Sequence, residues 1–178
     1  MSAKLSLGID PGWKNLGIAV VERDNENKVK VLKTAVLTPY LYETIWDTPL
    51  HVSEWLTEAG IYAGDITSIG MERFVSYNNV DSAESEHILM TIGAVGEYLH
   101  RICYKTDVIN MYRAFEWKVN LNKHLVKTKK FSNPSTSFDK VFSVAAAKAC
   151  LDYEYEFKTD HEGDASAIAY YSMVYSEI

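Results

Sequence analysis

Leu7-Gly8-Ile9-Asp10-Pro11-Gly12-Trp13-Lys14-Asn15-Leu16-Gly17-Ile18-Ala19-Val20 is the stretch whose reading decides how this chain folds. With Leu5 and Ser6 before it, the segment up to Ile9 reads as a buried strand that runs into a carboxylate, and Pro11 and Gly12 then force a turn. The apolar run from Gly17 to Glu22 returns as a second strand. Asp24-Asn25-Glu26-Asn27 forms a polar turn, and Lys28 to Leu37 is rich in Val and Leu with partial alternation, so three strands follow one another as an antiparallel meander.

The period then changes. Ile45, Trp46, Leu50, Val52, Trp55 and Leu56 suggest helical turns between Tyr42 and Leu56, interrupted at Pro49. Ile66 to Phe74 is a short apolar run around Glu72, suited to a buried strand parallel to the first. From Ser82 to Tyr104 the apolar positions Ile88, Leu89, Ile92, Val95, Leu99 and Cys103 recur at three and four, which predicts a long amphipathic helix. Asp107 to Tyr112 reads as a fifth strand. Short helices follow around Ala114 to Leu121 and Phe138 to Leu151, separated by a basic and polar stretch, and a last helix runs from about Glu162. Three antiparallel strands followed by strands alternating with helices predict an α/β fold with a five-stranded mixed sheet flanked by helices.

At 178 residues, 47% hydrophobic, the chain is expected to form a single domain, residues 1–178. No run approaches the roughly 18 apolar residues that cross a bilayer, and Met-Ser-Ala-Lys leads straight into a strand. The expectation is an intracellular protein, cytoplasmic or nucleoid-associated, with no membrane partner. Cys103 and Cys150 lack metal-binding spacing and read as buried free thiols. A net charge of −6 argues against coating nucleic acid non-specifically, so any nucleic-acid surface has to be local.

Three places carry chemistry. Asp10 ends a hydrophobic strand, where a carboxylate either caps the turn or serves a site. Glu72 repeats the arrangement near the end of the strand paired with the first; taken alone it could instead partner Arg73 or Lys14. Asp160-His161-Glu162-Gly163-Asp164-Ala165 opens the last helix, where residues three and four apart share a face, so Asp164 can be joined by His161 or Asp160 but not by Glu162. The simpler role for these acids is to offset the positive end of the helix dipole.

Together, Gly8-Ile9-Asp10-Pro11-Gly12 with Gly17-Ile18-Ala19, Met71-Glu72, and His161-x-x-Asp164-Ala165 with Ala167-Ile168-Ala169 resemble the RuvC family of Holliday-junction resolvases in the RNase H-like superfamily. The resemblance implies an RNase H-like fold and a metal-dependent endodeoxyribonuclease with Asp10, Glu72 and Asp164 as catalytic metal ligands. The position three before the final Asp falls to His161, with Asp160 as its competitor. Two Mg²⁺ ions, about 4 Å apart, suit hydrolysis of a phosphodiester, and Mn²⁺ should substitute given the imidazole. The implied substrate is branched DNA, four-way junctions above all, and the implied assembly is a homodimer.

From Arg113 to Lys130 the bases Arg113, Lys118, Lys123, Lys127, Lys129 and Lys130 face one acid, Glu116, a local excess that is either a DNA surface or a solvated loop. The resemblance favours DNA, placing phosphate-binding lysines at Trp117-Lys118 and Asp139-Lys140. Phe74 and Tyr77, just after Glu72, could stack on bases at a branch point or lie in the core; the family usually has its aromatic where this chain has Val75. The helix from Ser82 to Tyr104 is the expected dimer interface, with Gly93 and Gly96 allowing close approach beside Ile92, Val95 and Leu99. Competing classes are an actin-like or sugar-kinase ATPase, which needs a second phosphate loop that this chain lacks, another RNase H-like nuclease acting on forks, flaps or RNA-DNA hybrid, and a non-catalytic DNA-structure binder.

Overall fold

The computed structural model describes residues 3–75, 82–103, 109–135 and 137–175. Five strands, β1 (Lys4–Asp10), β2 (Leu16–Arg23), β3 (Val29–Leu37), β4 (Ile66–Arg73) and β5 (Ile109–Arg113), form a single sheet in the order β3-β2-β1-β4-β5. The first three are antiparallel, and β4 and β5 add in parallel, as the sequence pattern predicts. Five α-helices accompany them among the described residues: α1 (Thr48–Glu58), α2 (Ser82–Ile102), α3 (Ala114–Lys127), α4 (Lys140–Cys150) and α5 (Asp160–Tyr175).

Period-two alternation sends the β1 side chains to two different cores. Leu7 and Ile9, with Ile18, Val20, Ile69 and Met71, pack against Val52, Trp55 and Leu56 of α1 and Val95 and Leu99 of α2. Ser6, Gly8 and Asp10 point to the opposite face, where α5 lies. That second core joins Trp117, Leu121 and Leu125 of α3, Phe142 and Ala146 of α4, and Ile168 and Tyr171 of α5. Every residue of α5 from Ala165 to Met173 is buried, because the helix is covered by the sheet on one side and by other helices on the rest.

Small residues let α5 sit directly on the sheet. A methyl group built on Gly8 would fall 1.9 Å from the Ala165 carbonyl oxygen, and one on Gly17 would fall 2.3 Å from that of His161. Ser6 Oγ donates to the Ala169 carbonyl at 2.7 Å and accepts from Ser68 Oγ at 2.7 Å, so these two strand hydroxyls beneath the helix are paired.

Several element ends differ from expectation. Pro49 does not interrupt a helix; it lies in the first turn of α1, where its missing N–H removes no helical bond. Helix α3 runs on to Lys127 and takes in part of the stretch expected to be a connector, because Leu121 and Leu125 continue a buried stripe. Glu162 does not merely offset the helix dipole. It is buried, and its Oε2 accepts from the backbone N–H of Lys158 at 2.6 Å while Oε1 accepts from Thr34 Oγ1 at 3.0 Å. Cys103 and Cys150 are buried free thiols. Among the described residues no helix is long and apolar enough to cross a membrane.

Candidate active site

Three elements bring their acids to one edge of the sheet. Ile9 pairs with Met71 in the parallel β1–β4 register, so Asp10 and Glu72, the next residue on each strand, end side by side. Both lie on the α5 face, two residues beyond Gly8 and Gly70. Helix α5 starts above this edge and runs back over the sheet, bringing His161 and Asp164 onto the same face one turn apart.

A separate donor holds each carboxylate. His161 Nδ1 donates to Asp10 Oδ2 at 2.7 Å, Trp117 Nε1 donates to Glu72 Oε2 at 2.8 Å, and Lys118 Nζ stands 3.4 Å from Asp164 Oδ1. The last distance is attractive but long for a charge-assisted hydrogen bond, and Asp164 Oδ1 is buried with no hydrogen-bond partner among the described residues. Neither Arg73 nor Lys14 partners Glu72: Lys14 reaches Glu84 at 3.6 Å instead. Asp160, the competitor of His161, turns outward to Lys140, with Oδ2 2.6 Å from Nζ, and that ion pair holds its carboxyl below the usual range.

The electrostatics are those of crowded acids in a poorly hydrated place. Burial, reinforced by the charge of Asp10, raises Glu72 to about 7, against the lowering effect of the Trp117 hydrogen bond. Burial and Asp10 likewise raise Asp164 to about 6, against the pull of Lys118. The hydrogen bond to Asp10 raises His161. Among the described residues no three His, Cys, Asp or Glu side chains lie close enough together to cage an ion as they stand. The residues nevertheless fit a divalent cation: a buried carboxylate oxygen without a hydrogen bond, and two acids whose proton affinity is raised by burial and by the charge of Asp10, are what a cation would relieve.

A stability prediction follows from the raised carboxyls. An unperturbed carboxylate titrates near 4, so the folded chain keeps protons on Glu72 and Asp164 that the unfolded chain has released. This contribution is full below the ordinary carboxylate range and is lost as pH rises through about 6 for Asp164 and about 7 for Glu72. Thermal melts in chelator should therefore show falling stability between about pH 5 and pH 8. Added Mg²⁺ should restore it at the alkaline end; a melting temperature that rises across that window in chelator would contradict the assignment.

Of the other expected residues, Phe74 is half-buried and lines a groove of about 540 Å³ with Glu72, Arg73, Arg113 and Phe115. Tyr77 lies outside the described residues. The basic run is divided: Lys118 meets Asp164, whereas Lys130 lies 3.7 Å from Asp152, whose Oδ2 accepts from Val29 N at the opposite end of the sheet. Trp117 is the site residue that local pattern misses. Its indole crosses 45 positions of sequence to reach Glu72, and only the packing of α3 beside β4 reveals it.

Thermus thermophilus RuvC in complex with a Holliday junction substrate superposes with a TM-score of 0.70 and 18% identity, covering 97% of this chain and 95% of that one. This chain has the RuvC fold. A second T. thermophilus RuvC structure matches with a TM-score of 0.64 and 19% identity, again over 97% and 95% of the two chains. The yeast mitochondrial Holliday junction resolvase shares the fold more loosely, with a TM-score of 0.53 and 19% identity over 96% of this chain and 78% of that one. No protein-family model and no curated protein matches the sequence. At 18–19% identity to these structures, the likeness is one of fold.

Proposed function

We propose that this chain is a single-domain, divalent-metal-dependent endodeoxyribonuclease that cuts branched DNA, four-way junctions foremost, by phosphodiester hydrolysis. The observation that carries the reading is the placement of Asp10, Glu72 and Asp164 at one sheet edge, with two of them raised by burial and by the charge of Asp10. These three would hold the ions, with His161 as the fourth residue of the site. When bound, two Mg²⁺ ions would supply an activated water and neutralise charge on the leaving oxygen, and Mn²⁺ should substitute. His161 orients Asp10, Trp117 orients Glu72, and Lys118 offsets the negative charge of Asp164 until a cation does so.

A T. thermophilus RuvC bound to a junction supports the choice of substrate. The test is Mg²⁺-dependent cleavage of a four-way junction beside a fork, a linear duplex and an RNA-DNA hybrid. Preferential cutting of the junction is the expected result. Preference for the hybrid would move the protein to another branch of RNase H-like nucleases, and metal-dependent binding without any cutting would make it a DNA-structure binder.

Lys118 and Lys140 flank the acid cluster, while Lys123 and Lys127 lie about 7.5 Å and 13.5 Å further along α3 than Lys118, at 1.5 Å per residue. Lys129 and Lys130 follow beyond its end. Lys140→Ala should weaken junction binding and lower its salt slope by roughly one phosphate contact, with smaller losses at Lys123 and Lys127 and least at Lys129 and Lys130, on the side away from the acids. Equal slopes in wild type and Lys140→Ala would remove this lysine from the interface.

The proposed working unit is a symmetric homodimer, since the paired cuts of a junction need two acid clusters related by a two-fold axis. Val95 and Leu99 are buried in the protein's own core and so are not available as an interface, contrary to expectation. The outward side of α2 remains, where a methyl group on Gly93 or Gly96 would meet nothing within 4 Å and Leu89 is exposed. Light scattering with and without junction should report a dimer; a monomer in both conditions would refute it.

A further inference from the structure

Tryptophan offers a buried site one hydrogen-bond donor and no charge. Trp117 is fully buried, anchored in the core that α3 shares with α4 and α5, and yet its Nε1 reaches the edge of that core and donates to Glu72 Oε2 at 2.8 Å. Trp13 and Trp55 also bury their Nε1 atoms, and there no hydrogen-bond partner is found among the described residues. The same indole face lies 5.1 Å from Lys118 Nζ, the ammonium that stands beside Asp164. One rigid side chain therefore contacts both the holder of Asp164 and Glu72 itself.

We propose that Trp117 is a positioning residue whose indole N–H fixes the rotamer of the Glu72 carboxylate for a divalent cation. The inference rests on the proposed role of Glu72 as a metal ligand. A cationic donor in the same place would orient the carboxylate but compete with the incoming ion. The neutral N–H orients it and leaves its full charge available. Oε1 makes no hydrogen bond among the described residues, so one oxygen is held while the other stays available to a ligand. The ring is locked by the core, so the N–H direction is set by the packing of α3 rather than by a flexible surface side chain.

The test is calorimetric titration of the full-length protein with Mn²⁺ in the absence of DNA, comparing wild type, Trp117→Phe, Glu72→Gln and Leu125→Ala. The Phe variant removes the donor and keeps an aromatic ring; the Leu125 variant loosens the same core without touching the site. Mn²⁺ affinity is expected to fall about 10-fold to 100-fold in Trp117→Phe and to hold in Leu125→Ala. Wild-type affinity in Trp117→Phe, or an equal loss in Leu125→Ala, overturns the positioning role. Undiminished binding in Glu72→Gln overturns the metal-ligand reading beneath it, and the inference with it. Should Trp117→Phe fail to fold, the Trp117 indole resonance of the wild-type protein decides: it is expected to exchange slowly with solvent and shift on Mg²⁺ addition, and an indifferent resonance counts against the proposal.

Discussion

Asp164→Asn is expected to abolish Mg²⁺-dependent cleavage, by at least ~1000-fold or ~4 kcal/mol of barrier, while leaving junction binding intact or tighter. Asn keeps the shape of Asp164 but gives up the negative charge that a cation requires. It also relieves the repulsion from Asp10 that, with burial, raises Asp164 to about 6. The substitution should therefore stabilise the metal-free protein above that pH while disabling it, the opposing signs that an acid kept for chemistry produces. Turnover close to wild type would remove Asp164 from the mechanism. Two neighbours refine the assignment: His161→Ala removes the donor on Asp10 and should cut poorly, whereas Asp160→Ala breaks an outward ion pair with Lys140 and should keep most of its activity. The reverse order would give Asp160 the fourth place.

Gly8→Ala should have the largest effect on the fold. The added methyl group falls 1.9 Å from the Ala165 carbonyl oxygen and 2.5 Å from Ala169 N, both backbone atoms that no rotamer change can move aside. Helix α5 has to lift from β1, which breaks the Ser6–Ala169 contact and carries Asp164 and His161 away from Asp10 and Glu72. A loss of more than about 3 kcal/mol is expected in urea unfolding, with cleavage lost in whatever fraction still folds. Gly93→Ala is the matched comparison. It sits in the interior of α2 with no atom of its own chain within 4 Å of an added methyl group, and should gain ~0.5–1 kcal/mol in the stability of the monomer by helix propensity. If Gly8→Ala were as mild as Gly93→Ala, the close seat of α5 on the sheet would be wrong.

Much of this architecture is legible in one dimension because the determining forces are local. The short apolar runs from Leu5 to Ile9 and Gly17 to Glu22, the partial alternation from Lys28 to Leu37, the turn at Pro11-Gly12, and the three-and-four spacing from Ile88 to Cys103 each encode an element through what the local backbone imposes. A carboxylate at the end of two apolar strands and another on an apolar helix stand out for the same reason: burying charge is costly, so its presence there marks a place where something else repays it. Sequence therefore determined the strand order of the meander, the parallel continuation and the three acids. Pro49, the length of α3 and the cap role of Glu162 escaped it, since each depends on what a neighbouring element covers.

Only the tertiary structure decided how those acids are held. His161 and Asp160 are adjacent in the chain and equivalent in any spacing rule, yet the rotation of α5 on the sheet turns one to Asp10 and the other to Lys140. Trp117 and Glu72 have no sequence relation, and their bond exists because α3 packs beside the end of β4. The basic run looked like one surface and is divided between the two ends of the sheet, because a helix spreads consecutive lysines along its length. Sequence determines which groups a chain can offer to a site. Which of them meet is set by how closely the helices can approach the sheet, and here that distance depends on the missing side chains of Gly8 and Gly17.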